Sequence, residues 1–459
     1  MAARLLVLVA VCLTLPAPGA AAADRQRRNL VLLIADDLGL QLGCYGDKAA
    51  KTPNLDALAR RGVRFSHAFA AVASCSPSRS TLYTGLHTHT NGQYGLAHAE
   101  HNFHTRTNVR SLPAYLRPAG YRTGIIGKTH VIPASVYDWD EEIRASGRNG
   151  AQMAKQAAKF IAGCGDKPFC LVLGYTDPHR AARGFANDPP YPGLTAQKFD
   201  PKDMPVPPFL PDTPAVRADL ADYYQSVNRL DQGVGKLLDV LRQTGHDKDT
   251  LVLFLSDNGM PFPGAKTTVY DAGLRLPLIV YRPDAGRQGV VNQAMVSWVD
   301  ILPTMLDYAG VARPKTLQGR SFLPVLAEDE PKGWDEVYGS HTFHEVTMYY
   351  PMRTVRTRKY RFIVNFAHSL YFPSASDLYH SPTWQDIVKR ADDRMGQRTV
   401  KAFLMRPAEE LYDVTADPAE VKNLAGDPAH AATLETLRKK LRDWQVQTRD
   451  PWVVKYEYE

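Results

Sequence analysis

No Asn-x-Ser/Thr triplet occurs in the 459 residues, so the chain offers no acceptor for N-linked glycan. It has five cysteines, too few and too scattered for a disulfide scaffold. It contains no apolar run of the roughly 20 residues that a helix needs to cross a bilayer, so no membrane span is expected. No internal repeat and no low-complexity segment stands out. Basic residues are not interleaved with aromatics in any one patch, which argues against a nucleic-acid partner. The histidines His87, His89, His98, His101 and His104 are dense, but their spacing matches no compact zinc motif, and they read as a substrate-facing loop.

What is present is an ordinary globular composition, 44% hydrophobic and 22% charged, in a chain long enough for two domains. Residues 1–23 read as an export signal. Arg4 precedes a short apolar segment at residues 5–15, Pro16 follows, and Ala21-Ala22-Ala23 fits a small-residue cleavage site. With no glycan acceptor, the expected location is a bacterial periplasm rather than a lysosome-like compartment. Removal of the signal takes Cys12 and leaves Cys44, Cys75, Cys164 and Cys170. Cys164 and Cys170 are near enough in sequence to pair, but spacing alone does not decide the geometry. The formal net charge of +7 suits an acidic substrate through long-range attraction, and suits solubility equally well.

Several short, almost wholly apolar runs have the character of strands buried on both faces of a parallel sheet. Residues 29–34 end in Asp36-Asp37, 121–127 in Lys128-Thr129-His130, 169–175 in Asp177-Pro178-His179, and 250–256 in Asp257-Asn258. In open α/β sheets ligands bind beyond the carboxyl ends of the strands, so four polar strand ends point to one site. Residues 220–241 carry apolar side chains at helical spacing and read as an amphipathic covering helix. Residues 181–218, rich in Pro, Gly and Asp, read as a long loop on a functional rim. From residue 331 the pattern changes to antiparallel strands and a last helix. The expected organisation is therefore a catalytic domain at 24–330 and a smaller α+β domain at 331–459.

The stretch Ser74-Cys75-Ser76-Pro77-Ser78-Arg79 sets a thiol just ahead of a helix start. Pro77 suits a first helical position and Ser76 the cap before it, so Cys75 lies near the positive end of the helix dipole with Arg79 on the same side. Cys-x-Pro-Ser-Arg, followed by a Thr-Gly turn, resembles the signature of the type I sulfatases. That resemblance implies an alkaline-phosphatase-like α/β fold with a large mixed sheet. It also implies conversion of Cys75 to formylglycine by a formylglycine-generating enzyme, the hydrated aldehyde being the nucleophile. It implies calcium held by Asp36, Asp37, Asp257, Asn258 and the oxygen at position 75. The four side chains offer only oxygen, which suits a hard dication better than zinc. By the same resemblance Arg79, Lys128 and His130 hold and polarise the nucleophile. His179 and Lys266 hold the sulfuryl oxygens and assist the leaving group, with His179 as its acid.

Segments outside that signature, above all His344-Glu345-Val346-Thr347-Met348, resemble the sulfamidase branch of the family across nearly the whole mature chain. This implies hydrolysis of the N-sulfate of glucosamine in heparan sulfate or heparin fragments, with His344 and Glu345 as candidates to contact the sugar or its amine. One departure stands out: mammalian members of that branch carry arginine where Lys266 aligns, and a lysine keeps the charge but lacks the planar fork. An O-sulfatase acting on another sulfated sugar or aryl ester, and a sulfoglycan-binding protein whose Cys75 is never modified, are the other readings. A homodimer is compatible with all three.

Overall fold

The computed structural model describes residues 28–391 and 393–458, so the export segment read at residues 1–23 lies outside the described residues. Its central strand is β1 (Asn29–Ala35), every residue of which is buried. Leu30, Leu32 and Ile34 enter one hydrophobic core, and Val31, Leu33 and Ala35 enter another on the opposite face. A strand of period two must do this when both faces of its sheet are covered, and this is why the run carries no polar alternation. Alongside it lie β2 (Val63–Phe69), β3 (Arg122–Gly127), β4 (Glu141–Ile143), β5 (Phe169–Gly174), β6 (Thr250–Ser256), β7 (Arg275–Leu276), β8 (Leu278–Tyr281) and β9 (Val290–Ser297). The order is β4-β3-β5-β1-β6-β8-β2-β7, with β9 also paired to β2. From β4 to β6 neighbouring strands are parallel, and β8 runs antiparallel to both β6 and β2, so the sheet is mixed.

Helices Pro53–Arg61, Gly150–Cys164 and Pro214–Gln243 cover one face, and helices Cys75–Thr84, Leu112–Leu116 and Ile301–Tyr308 pack into the core on the other. The segment read as a loop at 181–218 stops earlier than expected. Thr213 caps the long helix by accepting from the Val216 amide, and Pro214 takes its first turn.

The C-terminal part forms an antiparallel sheet of β10 (Glu336–His341), β11 (Met352–Thr357), β12 (Tyr360–Asn365) and β15 (Glu409–Asp413), with a two-stranded ribbon of β13 (Arg394–Met395) and β14 (Arg398–Thr399). Leu434, Leu437, Leu441 and Trp444 of helix Ala431–Thr448 pack on Val355, Phe362 and Leu411 of this sheet. Its other face carries Met352, Ile363 and Tyr412 into the core of the large sheet. The hydrophobic core thus continues from one sheet to the other.

Cys44, Cys75, Cys164 and Cys170 are all free thiols. Cys170 of β5 points into one core and Cys164, at the end of a covering helix, into the other. The sheet itself stands between the two sulfurs, so closeness in sequence does not become a disulfide.

Candidate active site

In the sheet order, β3, β5, β1 and β6 are consecutive and parallel, so their carboxyl ends open on one edge. The ladder continues a little beyond the strands. The Asp36 amide donates to Asp177 O (3.0 Å), Asp257 N to Ala35 O (3.0 Å), and Lys128 N to Gly174 O (2.8 Å). These bonds lock the four polar termini to each other before any side chain is considered. Asp37 and His130 then turn with φ of 67° and 56°, a region that non-glycine residues avoid unless the surroundings enforce it, and Thr267, after Lys266, does the same with φ of 67°.

The helix bearing Cys75 starts two residues earlier than the Ser76–Pro77 pair implies. Cys75 is its first residue and Ser74 the cap by backbone geometry, with Ser78 N donating to Ser74 O at 2.8 Å. Proline lacks an N–H and is tolerated anywhere in a first turn, so Pro77 did not mark the start. The serine side chains are engaged elsewhere: Ser76 Oγ accepts from the Ala97 amide (3.0 Å), and Ser74 Oγ bonds His344 Nδ1 (2.8 Å).

Oxygens of Asp36, Asp37 and Asp257 and the sulfur of Cys75 lie within 4.8 Å of one another, all buried. Asn258 Nδ2 donates to Asp257 Oδ1 (2.8 Å) and lies 3.6 Å from Cys75 Sγ. Cations surround the cluster. Arg79, fully buried, reaches Asp257 Oδ2 through Nε (2.8 Å) and the Lys128 carbonyl through Nη1 (2.9 Å). Lys128 Nζ donates to Asp36 Oδ2 (2.6 Å) and Lys266 Nζ to Asp37 Oδ2 (2.9 Å). Burial pushes Asp36 up, but Lys128, His179 and Arg79 outweigh it and hold its carboxyl well below the usual range. Asp37 and Asp257 are pushed up to about 7, chiefly by burial, with neighbouring carboxylates adding to it against Lys266 and Arg79. The centre is therefore short of positive charge.

A hard dication fits this donor set. Asp36 Oδ1 and Asn258 Oδ1 are buried oxygens without a hydrogen-bond partner, beside Asp37 and Asp257, and all four side chains present oxygen. The Cys75 thiol is pushed well above its ordinary value, mainly by burial, and stays protonated. As a thiol it is a poor nucleophile.

His179 lies against Lys266, which donates to its Nε2 (3.3 Å), while His179 Nδ1 donates to the Arg180 carbonyl (2.5 Å). Burial, then Lys266, pushes the imidazole down to about 4, so at neutral pH it is uncharged and its Nε2 accepts. The proton between the two side chains is on Lys266 Nζ, the one on His179 Nδ1 being committed to the Arg180 carbonyl. His130 Nε2 contacts His98 Nδ1 (2.6 Å) and His130 Nδ1 is buried without a partner. His344 is buried behind Ser74, in a loop beyond β10 rather than on a strand. Glu345 Oε1 accepts from the Ser376 amide (2.8 Å), bracing the next segment. The histidine-rich loop divides. His98 contacts His130 and His101 packs on His98, whereas His87 and His89 are buried, stacked on each other and against Trp444.

Asp377 carries no sequence signal; it is a lone aspartate in a Ser-rich stretch. Its Oδ2 accepts from Lys266 Nζ at 2.7 Å and lies 3.9 Å from His179 Nε2.

A model of the family described as Sulfatase matches residues 28–311, and one described as N-sulphoglucosamine sulphohydrolase, C-terminal, matches residues 265–401. The chain belongs to the sulfatase family. It is an enzyme of that family with the alkaline-phosphatase-like sulfatase fold. This sulfatase is 45% identical to the N-sulphoglucosamine sulphohydrolase of Homo sapiens over 93% of its own length and 91% of that protein. It is 30% identical to an ulvan-active sulfatase of Formosa agariphila, over 91% of this chain and 80% of the other. A solved structure in complex with its substrate D-glucosamine-2-N,6-O-disulfate superposes with a TM-score of 0.69 at 22% identity, covering 93% of this sulfatase and 99% of that chain. Among the described residues no helix is long and apolar enough to cross a membrane.

Proposed function

We propose that this sulfatase removes the N-sulfate from glucosamine residues of heparan sulfate or heparin fragments, with Cys75 matured to formylglycine and calcium in the carboxylate cluster. One observation carries the reading: around a buried, protonated thiol, open acceptors at Asp36 Oδ1 and Asn258 Oδ1 sit beside an open donor at Arg79 Nη2. A folded chain leaves such groups unsatisfied where a ligand completes them. The 45% identity to the human sulphohydrolase and the match of the C-terminal family model support the N-sulfate rather than an O-sulfate.

When present, the matured residue supplies an oxygen nucleophile and calcium offsets the negative charge that spreads over the sulfuryl oxygens. The chain's own side chains do the rest. Asp36, Asp37, Asp257 and Asn258 hold the cation. Arg79 and Lys128 fix the residue at position 75 against it. Lys266 and His179 meet the sulfuryl group from the opposite side, and the proton for the leaving atom is held between them, on Lys266 in the resting site. His130, whose Nδ1 is buried without a partner, is the base assigned to take a proton from the residue at position 75. Export through residues 1–23 to a periplasm, where sulfated fragments would be met, belongs to the same reading.

The test is turnover of N-sulfoglucosamine, its 6-O-sulfated isomer and an aryl sulfate by protein made with a formylglycine-generating enzyme. Peptide mass should show the aldehyde at position 75, and Cys75→Ala should be inactive on all three. Activity confined to an O-sulfated substrate would replace this reading with the O-sulfatase one, which Lys266 and the ulvan-active relative favour. An alanine variant with full activity would remove the nucleophile assignment.

A further inference from the structure

The site is closed on the side of the carboxylates and open on the side of His179 and Asp377. The side chains of Asp36 and Asp37 are 0% exposed and that of Lys266 1%; Lys128, on the carboxylate side, is 16% exposed, and His179 at 25% and Asp377 at 20% are the most open. An in-line displacement at sulfur puts the leaving atom opposite the nucleophile. A sugar too large for the buried cluster must remain on the open side, so the leaving atom comes to rest between His179 and Asp377. Asp377 belongs to the short helix Ser376–Tyr379, whose first amide is held by Glu345. Its Oδ1 accepts from the Leu378 amide (2.9 Å) and its Oδ2 from Lys266 (2.7 Å), and the exposed face of the carboxylate keeps lone pairs free. Burial pushes Asp377 up, but Lys266 and His179 pull it well below the usual range, so it is an acceptor only.

We propose that Asp377 determines specificity for a sulfamate over a sulfate ester by accepting the N–H of the leaving nitrogen and, after cleavage, the amine of the product sugar. The chemistry of the two bonds decides this. A sulfamate nitrogen carries a hydrogen and leaves as an amine that becomes cationic. A bridging ester oxygen carries none and has only lone pairs to set against a carboxylate. An acceptor-only group here assists the first and repels the second. The proposal rests on the N-sulfate reading above and adds the residue that enforces it. It also gives Glu345 a function, bracing the segment that presents Asp377 rather than touching sugar.

Asp377→Asn keeps the size and an oxygen for Lys266 but loses the charge. It should lower kcat/KM on N-sulfoglucosamine by about 10- to 100-fold, the loss of one hydrogen bond to a charged group, while turnover of an aryl sulfate should rise as the repulsion of its bridging oxygen is relieved. Competition supplies a readout that does not depend on turnover of the sulfamate. D-glucosamine should bind the wild type at least about tenfold more tightly than N-acetylglucosamine, and Asp377→Asn should abolish that preference. Equal loss on both substrates would overturn the proposal and reduce Asp377 to a residue that positions Lys266. A wild type with no preference for the free amine would overturn it as well. A wild type that binds glucosamine through Asp377 but does not hydrolyse N-sulfoglucosamine would sink the substrate reading and leave the amine contact standing.

Discussion

Gly174, the last residue of β5, is placed where a side chain cannot be. A Cβ there would collide with the Lys128 carbonyl oxygen and lie 3.0 Å from Arg79 Nη1. Its φ is not among the positive values, so alanine suits the backbone and the conflict is wholly with those two site residues. Neither neighbour gives way easily. The Lys128 carbonyl accepts from Arg79, the Lys128 amide is bonded to Gly174 O, and Arg79 is fixed to Asp257. Relief in Gly174→Ala therefore requires a shift of about 1 Å in Lys128 or Arg79, and misplacement on that scale can cost about 100-fold in rate. Overpacking of this kind costs about 1–3 kcal/mol in stability, which is only about 1–4 °C in Tm for a chain this long. The expected signature is a purified, folded variant whose kcat/KM on its sulfated substrate falls about 100-fold while Tm moves by a few degrees. Gly286→Ala, where an added Cβ meets nothing within 4 Å, serves as the control and should be neutral on both measures. A Gly174→Ala variant with near wild-type kcat/KM would refute the claim that this edge of the sheet sets the positions of Lys128 and Arg79 tightly enough to matter for the chemistry.

Removal of bound metal by a chelator should abolish activity and also lower Tm, because Asp36, Asp37 and Asp257 would then face one another with only Lys128, Lys266 and Arg79 to offset them; calcium should restore both, and recovery with zinc alone would contradict the all-oxygen donor set. Far from the site, burial pushes His87 down to about 4 and His89 well below its ordinary value. Between pH 6.5 and 4 the unfolded chain takes up protons there that the folded chain refuses, so stability is present above pH 6.5 and lost as pH falls, by about 2 kcal/mol at pH 5 for His87. His87→Gln, which keeps an acceptor for Trp444 Nε1, should show a smaller fall in Tm from pH 7 to pH 5 than the wild type; an unchanged slope would show that His87 does not carry the effect.

The sheet was legible because a strand covered on both faces must be apolar throughout, and such runs are brief and sharply ended by polar residues. Residues 29–34 and 250–256 could hardly be anything else, and β1 and β6 are found there. The convergence of Asp36, Lys128, His179 and Asp257 was legible for a related reason. Parallel strands share one carboxyl edge, so polar ends of four apolar runs fall on the same side once the sheet forms. The start of the helix at Cys75 was misplaced by two residues because serine and proline report a first turn without saying which position in it they occupy. The side chains that would have marked the cap answered to tertiary partners, Ala97 and His344.

Local chemistry alone determined the buried strands, the polar residues that end them and the thiol in the neighbourhood of a helix start. Only the tertiary structure decided which groups those residues face, and with that their charge. His179 is neutral because it is buried against Lys266, and Cys164 cannot meet Cys170 because a sheet lies between them. One histidine of the loop, His98, meets His130 while two others, His87 and His89, lean on Trp444. Asp377 joins Lys266 from 111 residues further along the chain. Periodicity and end-signals are properties of neighbours in sequence, but protonation, pairing and access depend on whatever the fold brings within a few ångströms, and no local pattern encodes that.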